Sequence, residues 1–442
     1  MSHFAILLIG ISPLLASTQS GQTMDSYMQA WTDMNMFSGT VLVAKDGNII
    51  LHKAFGKSNI DRNIDNTCDT RFRIGSLTKA FTAIVVLQLE QQGKLSTKDR
   101  LSKYIPDHTQ ADDITLDMLL NHRSGIVDHT TLPDFQTHRR MDVCPLEETI
   151  AAFKNLPLEF EPGTRFKYSN SNYILLGFII EKVTGRPYAE TVRHNILEPL
   201  SMDSTDFEYN DYPVENMAAG YRMENDRIVP ALPRVIQNAH ASGALYSTAS
   251  DLYAWEKMFS SDKPESKTIV HKILDPAAED YCYGWAVDSM HGRRILAHMG
   301  ETEGFKSCIL RFPADNVCVI VLSNFEHCLV MRIGYDLSAI LLGRSYRMPK
   351  RALASSEMAD RYGDYVGQYQ LKPGFVFTIS REGTHLYCRP TGQGKLQLLP
   401  ESQSTFFIRE ADAQFEFIRD VNGRVIKLVL NQNGKQIPLN KL

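Results

Sequence analysis

No run of like charges and no basic stripe occurs in this 442-residue chain, whose formal net charge is −4. Binding to nucleic acid or to an anionic membrane surface rests on such a patch, so neither partner is expected. Long apolar sequence is lacking too. The N-terminal run FAILLIGISPLLA (residues 4–16) is broken by Pro13 and is shorter than the roughly 20 residues a membrane-spanning helix needs. Small and polar residues follow it, which predicts a secretory signal peptide over residues 1–20 and an exported protein, with no integral span beyond that leader. The run lacks the Lys or Arg that usually precedes such a segment. Its alternative reading is a helix packed on the body of the protein.

Cysteine is sparse and scattered. Cys68, Cys144, Cys282, Cys308, Cys318, Cys328 and Cys388 show neither a C-x-x-C nor a Cys/His spacing suited to a metal. The odd count argues against a disulfide framework. Cys308 and Cys318 lie in apolar, strand-like runs and read as small buried hydrophobes. No glycine-rich nucleotide loop, internal repeat or low-complexity segment is present, so no metal and no cofactor is expected. What remains, 43% hydrophobic and 22% charged residues, is the composition of a soluble globular protein of two or three domains.

The hydrophobic period divides the chain. Residues 24–34 read as a helix. GTVLVAK and NIILHKAF, joined by Asp46-Gly47, predict a β-hairpin. A helix follows from Ser76 to about Gln92, and the stretch from about residue 100 to 260 reads as helices and loops. Within it, residues 171–185 form a clear helix ending at a glycine. From Tyr283 the text turns to strands (GWAVD, RRILAH, FKSCILRF, VCVIVLSN), then to a helix over residues 328–342. Strands at both ends with helices between predict one α/β unit whose sheet is built from both termini, with a helical insert. Residues 346–360 read as a linker. Residues 361–442 hold about eight short strands, which predicts a small all-β barrel or sandwich.

Three short elements carry chemistry. In RIGSLTKAF (residues 73–81), Ser76 stands where an N-cap belongs and Lys79 lies three residues on. A cation there opposes the helix dipole, yet the same placement puts an amine beside a hydroxyl on one helix face. Burial and the helix end push a lysine pKa down, so Lys79 can serve Ser76 as base or proton shuttle. A second S-x-x-K, Ser260 to Lys263, precedes Pro264 in a loop, opens no helix in this reading and is set aside. Tyr168-Ser169-Asn170, a Y-x-N before a helix, offers a phenol for proton relay and an amide to orient a substrate or the lysine. His298-Met299-Gly300 ends a strand along whose edge a substrate can pair, with the Glu301 amide next in line for an oxyanion. Each element alone is weak: Lys45-Asp46-Gly47 and Lys372-Pro373-Gly374 match the related K-x-G and read as turns. His122 reads as structural.

In this order and context, S-x-x-K, Y-x-N and H-x-G resemble the serine β-lactamase-like and penicillin-binding protein superfamily. The resemblance is to its branch of class C β-lactamases, D-alanyl-D-alanine carboxypeptidases, D-aminopeptidases and esterases. MLLNHRSGI, FEPGTRFKYSN, ASGALYSTASDL and VIVLSN fit the same branch, and the tail resembles the lipocalin-like barrel appended to some members. The resemblance implies a β-lactamase-like serine hydrolase domain over residues 22–345: an antiparallel sheet flanked by helices, with a C-terminal eight-stranded barrel over 361–442. It implies Ser76 as nucleophile, Lys79 and Tyr168 as base and relay, and Asn170, His298, Gly300 and Glu301 as substrate-binding. Oxyanion donors would be the amides of Ser76 and Glu301. The substrate would be a D-amino acid peptide, a β-lactam or an ester. The alternative is a non-catalytic penicillin-binding or cell-wall-sensing protein. Two departures shape the expectation. His298 replaces a lysine and carries charge only when protonated, which favours peptidase or esterase activity. Glu301 and Glu303 beside the oxyanion site favour a substrate that is neutral or cationic at that end.

Overall fold

The computed structural model describes residues 13–442 apart from 136–140, 211, 225–226, 276–277, 279, 350–358, 409–412 and 433–434. Residues 1–12 of the expected leader and 350–358 of the expected linker thus lie outside the described residues. The chain divides into two compact units, Met1–Tyr346 and Arg347–Leu442.

The first unit is built on a seven-stranded antiparallel sheet. Its order is Tyr281–Cys282, Trp285–Met290, Arg293–Thr302, Phe305–Phe312, Val317–Ser323, Gly39–Lys45 and Asn48–Phe55. The N-terminal hairpin docks on the last strand in the register Gly39↔Ser323 to Lys45↔Val317, so the sheet is closed from both ends of the unit. Asp46 (φ 50°) and Gly47 (φ 79°) both take the left-handed conformation that a tight hairpin turn requires.

Period-two alternation sorts the side chains. Leu42, Ile320 and Leu322 face a core filled by the helices Thr78–Gln91 and Asn170–Thr184. Val41, Val319 and Val321 face a second core covered by the helices Pro13–Asp33 and Val330–Leu341. Met24, Tyr27, Met28 and Trp31 supply the buried stripe of the first of these, at helical spacing. Cys308 and Cys318 are buried free thiols inside the sheet.

The structure departs from the sequence reading in two places here. The middle of the unit carries small strand pairings as well as helices: Phe72–Arg73, Leu245–Ser247 and Asp206–Phe207 form a three-stranded patch, and Tyr221–Glu224 pairs with Arg227–Pro230. Strands this short show no readable alternation. The second S-x-x-K does precede a helix, Pro264–Ile273, with Lys263 at its N-cap and Pro264 at its first position, where proline is favoured.

The second unit is a closed eight-stranded antiparallel barrel from Gly367–Lys372 to Lys435–Lys441, sealed by Tyr369↔Lys441 and Gln370↔Asn440. Tyr365, Tyr369, Phe406, Phe415 and Phe417 are buried together in its interior.

Candidate active site

Ser76 does not cap the helix. It lies in a 3-10 turn, Gly75–Leu77, that runs straight into Thr78–Gln91, and no side chain caps either element. Because the turn already has helical geometry, the Ser76 hydroxyl is left to Lys79, whose Nζ lies 3.0 Å from Ser76 Oγ. The same Nζ donates to Asn170 Oδ1 at 2.8 Å and to the Ser242 carbonyl at 2.7 Å. Lys79 has no solvent exposure. Burial pushes its pKa down to about 7, with Asp128 working against the shift and Arg234 adding to it. A neutral amine keeps two N–H donors and gains a lone pair. It can therefore hold Asn170 and Ser242 and accept from Ser76 at once.

The half-buried Tyr168 ring lies beside this amine, with Lys79 Nζ 4.9 Å from its centroid. Burial raises the phenol well above its ordinary value, opposed by a hydrogen bond to Ser76. Tyr168 rests on the buried His122 ring, at 4.2 Å between centroids. His122 Nδ1 accepts from the Ser169 amide at 3.2 Å and lies 3.3 Å from Asn172 Nδ2, so this histidine shapes the Y-x-N loop. Asn170 opens the helix Asn170–Thr184 and bridges the site: its Oδ1 takes the lysine and its Nδ2 donates to Asp128 Oδ2 at 3.0 Å.

The third element approaches from the sheet. The strand Arg293–Thr302 does not end at Gly300 but continues two residues further. Beyond Ala297 it has lost its neighbour Trp285–Met290, while Phe305–Phe312 still pairs on the other side. The Ile74–Ser76 turn occupies the opened edge. A Cβ on Gly75 would stand 2.7 Å from the Glu301 nitrogen, which places that amide against the serine turn. The cleft so formed encloses about 370 Å³ and is lined by Ser76, Asn170, Arg234, Ser242, Glu301 and Glu303 among others.

Two expectations about charge are corrected. His298 is 6% exposed, and both ring nitrogens are engaged, Nδ1 with the Met299 carbonyl at 2.8 Å and Nε2 with Tyr281 Oη at 2.9 Å. Burial and the neighbouring Lys79 hold its pKa down to about 3, so it is neutral at physiological pH and offers no cation to a substrate. Both members of the acidic pair also have cationic partners within the protein. The Glu301 carboxylate points to Lys306, 3.6 Å away, with 53% of its side chain exposed. Glu303 is paired with Arg234 at 3.0 Å.

Sequence reasoning missed Asp128, Arg234, the Ser242 carbonyl and Tyr281. Asp128 and Arg234 stand in loops with no spacing relation to the three motifs, so nothing local marks them. Ser242 lies in ASGALYSTASDL, which was read for resemblance but not for a backbone acceptor. Among the described residues, no three or more His, Cys, Asp or Glu side chains are grouped to hold a metal ion, and no helix is long and apolar enough to cross a membrane.

The family model described as Beta-lactamase matches residues 22–336, and one described as a domain of unknown function, DUF3471, matches residues 353–440. Penicillin-binding protein 4* of Bacillus subtilis is 28% identical over 413 residues, covering 87% of this chain and 91% of that protein. The octameric penicillin-binding protein homologue from Pyrococcus abyssi superposes with a TM-score of 0.68 at 25% identity, covering 95% of this chain and 99% of its own. The D-amino acid amidase from Ochrobactrum anthropi SV3 shares the fold, with a TM-score of 0.62 at 22% identity over 70% of this chain and 92% of its own.

Proposed function

The chain belongs to the beta-lactamase family, and on that premise we propose that it is a serine hydrolase that forms an acyl-enzyme on Ser76, acting on D-amino acid peptides, β-lactams or esters. The observation that carries this reading is the buried Lys79 amine, 3.0 Å from the Ser76 hydroxyl, with a pKa brought down to about 7.

The shifts favour Lys79 as the group that takes the first proton. Tyr168 is pushed upward and stays a neutral phenol near pH 7, whereas about half of Lys79 is unprotonated there. We therefore read Lys79 as the base. Ser76 Oγ attacks the substrate carbonyl as its proton passes to Lys79 Nζ. The new oxyanion is held by the Ser76 and Glu301 amides. On collapse the Tyr168 phenol gives its proton to the departing amine or alkoxide and is reprotonated from Lys79. Water then hydrolyses the acyl group by the same relay in reverse. Asn170 keeps Lys79 aimed, and Asp128 keeps Asn170 aimed.

Intact-mass measurement after exposure to a penicillin and to a nitrophenyl ester tests the proposal. A covalent adduct on the peptide containing Ser76, with ester turnover, is the expected result. An adduct without turnover would favour a sensor, and an adduct on another residue, or none with either probe, would remove the proposal. Tyr168→Phe should keep the adduct but lower the steady-state kcat by about 10²-fold, the scale of one positioned proton donor. An unchanged kcat would exclude the phenol from the relay. We read the barrel as lipocalin-like in architecture, with a buried aromatic interior that argues against ligand carriage.

A further inference from the structure

Besides Ser76, the Lys79 amine meets two acceptors from different parts of the chain. Asn170 Oδ1 stands at the start of the helix Asn170–Thr184, and the Ser242 carbonyl stands in the turn over residues 239–245. Where the amine points therefore depends on how that turn is seated on that helix.

Asn170, Gly177 and Glu181 recur at helical spacing and share one face of the helix. A Cβ on Gly177 would stand 2.5 Å from His240 Nδ1 and 2.6 Å from Ala241 Cβ, so the turn rests on bare backbone there. One helical turn further on, Glu181 Oε1 accepts from His240 Nε2 at 3.3 Å and from the Tyr188 amide at 2.8 Å. That acceptor fixes the shared proton on Nε2. His240 Nδ1 is buried against Gly177 with no hydrogen-bond partner among the described residues. The Tyr188 ring covers the imidazole, 5.0 Å away between centroids. From the other side the helix Thr78–Gln91 grips the same turn. Thr82 Oγ1 lies 2.7 Å from the Ala241 carbonyl oxygen, and Thr78 Oγ1 accepts the Leu245 amide at 3.2 Å.

His240 takes φ 41° and ψ −133°, a conformation that residues with a side chain rarely adopt. Such a backbone persists only where its surroundings over-determine it. The strained residue is thus the one whose ring is locked, and the carbonyl that meets Lys79 belongs to the second residue after it. Glu181 and His240 both line a separate cavity of about 260 Å³ with Cys144 and Tyr209, and neither lines the Ser76 cleft among the described residues. Any influence they have on the reaction passes through the turn and not through contact with a substrate in the cleft.

We propose that Glu181 and His240 are a pair of positioning residues that lock the 239–245 turn onto Gly177 and so aim the Ser242 carbonyl at Lys79 Nζ. The inference rests on the acyl-serine reading and deepens it, by naming what holds the base in place beyond Asn170.

The test is the acylation rate constant for a nitrophenyl ester, measured in single turnover with enzyme in saturating excess, where misfolded protein does not enter the constant. His240→Ala and Glu181→Ala should each lower it about 10- to 100-fold, the scale of a reacting group displaced by up to about 1 Å, with KM within about twofold. Glu181→Gln keeps an acceptor for both partners and should stay within about threefold of wild type. The double variant with both alanines should be no slower than the slower single one, since the two residues act as one lock. Gly177→Ala keeps both polar groups but lifts the turn from its seat, and should slow acylation to the same degree. An unchanged rate constant in His240→Ala, multiplying losses in the double variant, or a glutamine variant as slow as Glu181→Ala would overturn the proposal while leaving the acyl-serine reading intact. A wild-type protein acylated by neither the ester nor a penicillin would sink that reading, and this inference with it.

Discussion

Replacing Lys79 with methionine lowers the acylation rate by about 10²- to 10⁴-fold, the range for a lost general base, and makes the folded protein more stable at neutral and acid pH. The two effects have one cause. The amine has an ordinary value of 10.5 and is brought to about 7 by burial. Between those values the unfolded chain binds a proton that the folded chain does not, so wild-type stability rises with pH from about 7 to about 10.5. Below about 7 the deficit is complete. At about 1.4 kcal/mol per pKa unit it amounts to at most about 5 kcal/mol. Methionine fills similar volume without charge, but it leaves Asn170 Oδ1 and the Ser242 carbonyl without their lysine donor. Both are neutral carbonyl acceptors, so those losses take back about 1–2 kcal/mol each. A net gain of about 1–3 kcal/mol at pH 6 is expected in denaturant melts, shrinking toward pH 10. The wild-type acylation rate should climb as pH passes upward through about 7 and then level off, because the unprotonated amine is the reactive form. A flat rate between pH 6 and pH 8, or a methionine variant less stable at pH 6, would contradict this account of the base.

The parts of this site that could be read from sequence are those fixed by local geometry. Ser76 and Lys79 meet because three residues of helical backbone put them on one face, and that spacing is written in the chain. The hairpin at Asp46-Gly47 and the helix stop at Gly185 (φ 68°) follow from backbone conformations that few residues tolerate. The sheet's construction from both ends was legible because alternation survives in long strands such as Val317–Ser323. Charge was not legible. His298 looked like a conditional cation because sequence shows its type but not Tyr281, the Met299 carbonyl and the burial around it. Arg234 carried no mark because its importance comes from a loop brought beside Ser76 by the fold. Glu301 and Glu303 looked repulsive because their partners Lys306 and Arg234 are set by strand pairing and loop placement. Ser76 was misread as a cap because a 3-10 turn can extend a helix past the residue type that usually starts one.

Gly300→Ala should cost more activity than any other single methyl added to this cleft. A Cβ on Gly300 would stand 1.8 Å from the Ile74 carbonyl oxygen and 2.4 Å from Ser307 Oγ. The carbonyl cannot step aside freely: it accepts the Ser307 hydroxyl at 2.8 Å and belongs to the residue before Gly75-Ser76. From the other side, Gly75 takes φ +51°, and a Cβ there would meet the Glu301 nitrogen at 2.7 Å. The two glycines thus form one seam that sets how far the nucleophile lies from the Glu301 amide. Overpacking of this kind costs about 1–3 kcal/mol or more, and displacing a reacting group by about 1 Å costs on the order of 10²-fold in rate. The expected outcome is a kcat for a nitrophenyl ester reduced at least about 100-fold, with a lowered melting temperature. Gly394→Ala, with nothing within 4 Å of its new methyl, should change neither. The explanation assigns the damage to the Ile74 carbonyl and not to the serine. Adding Ser307→Ala to Gly300→Ala therefore should not restore activity, and a double variant with wild-type turnover would refute it.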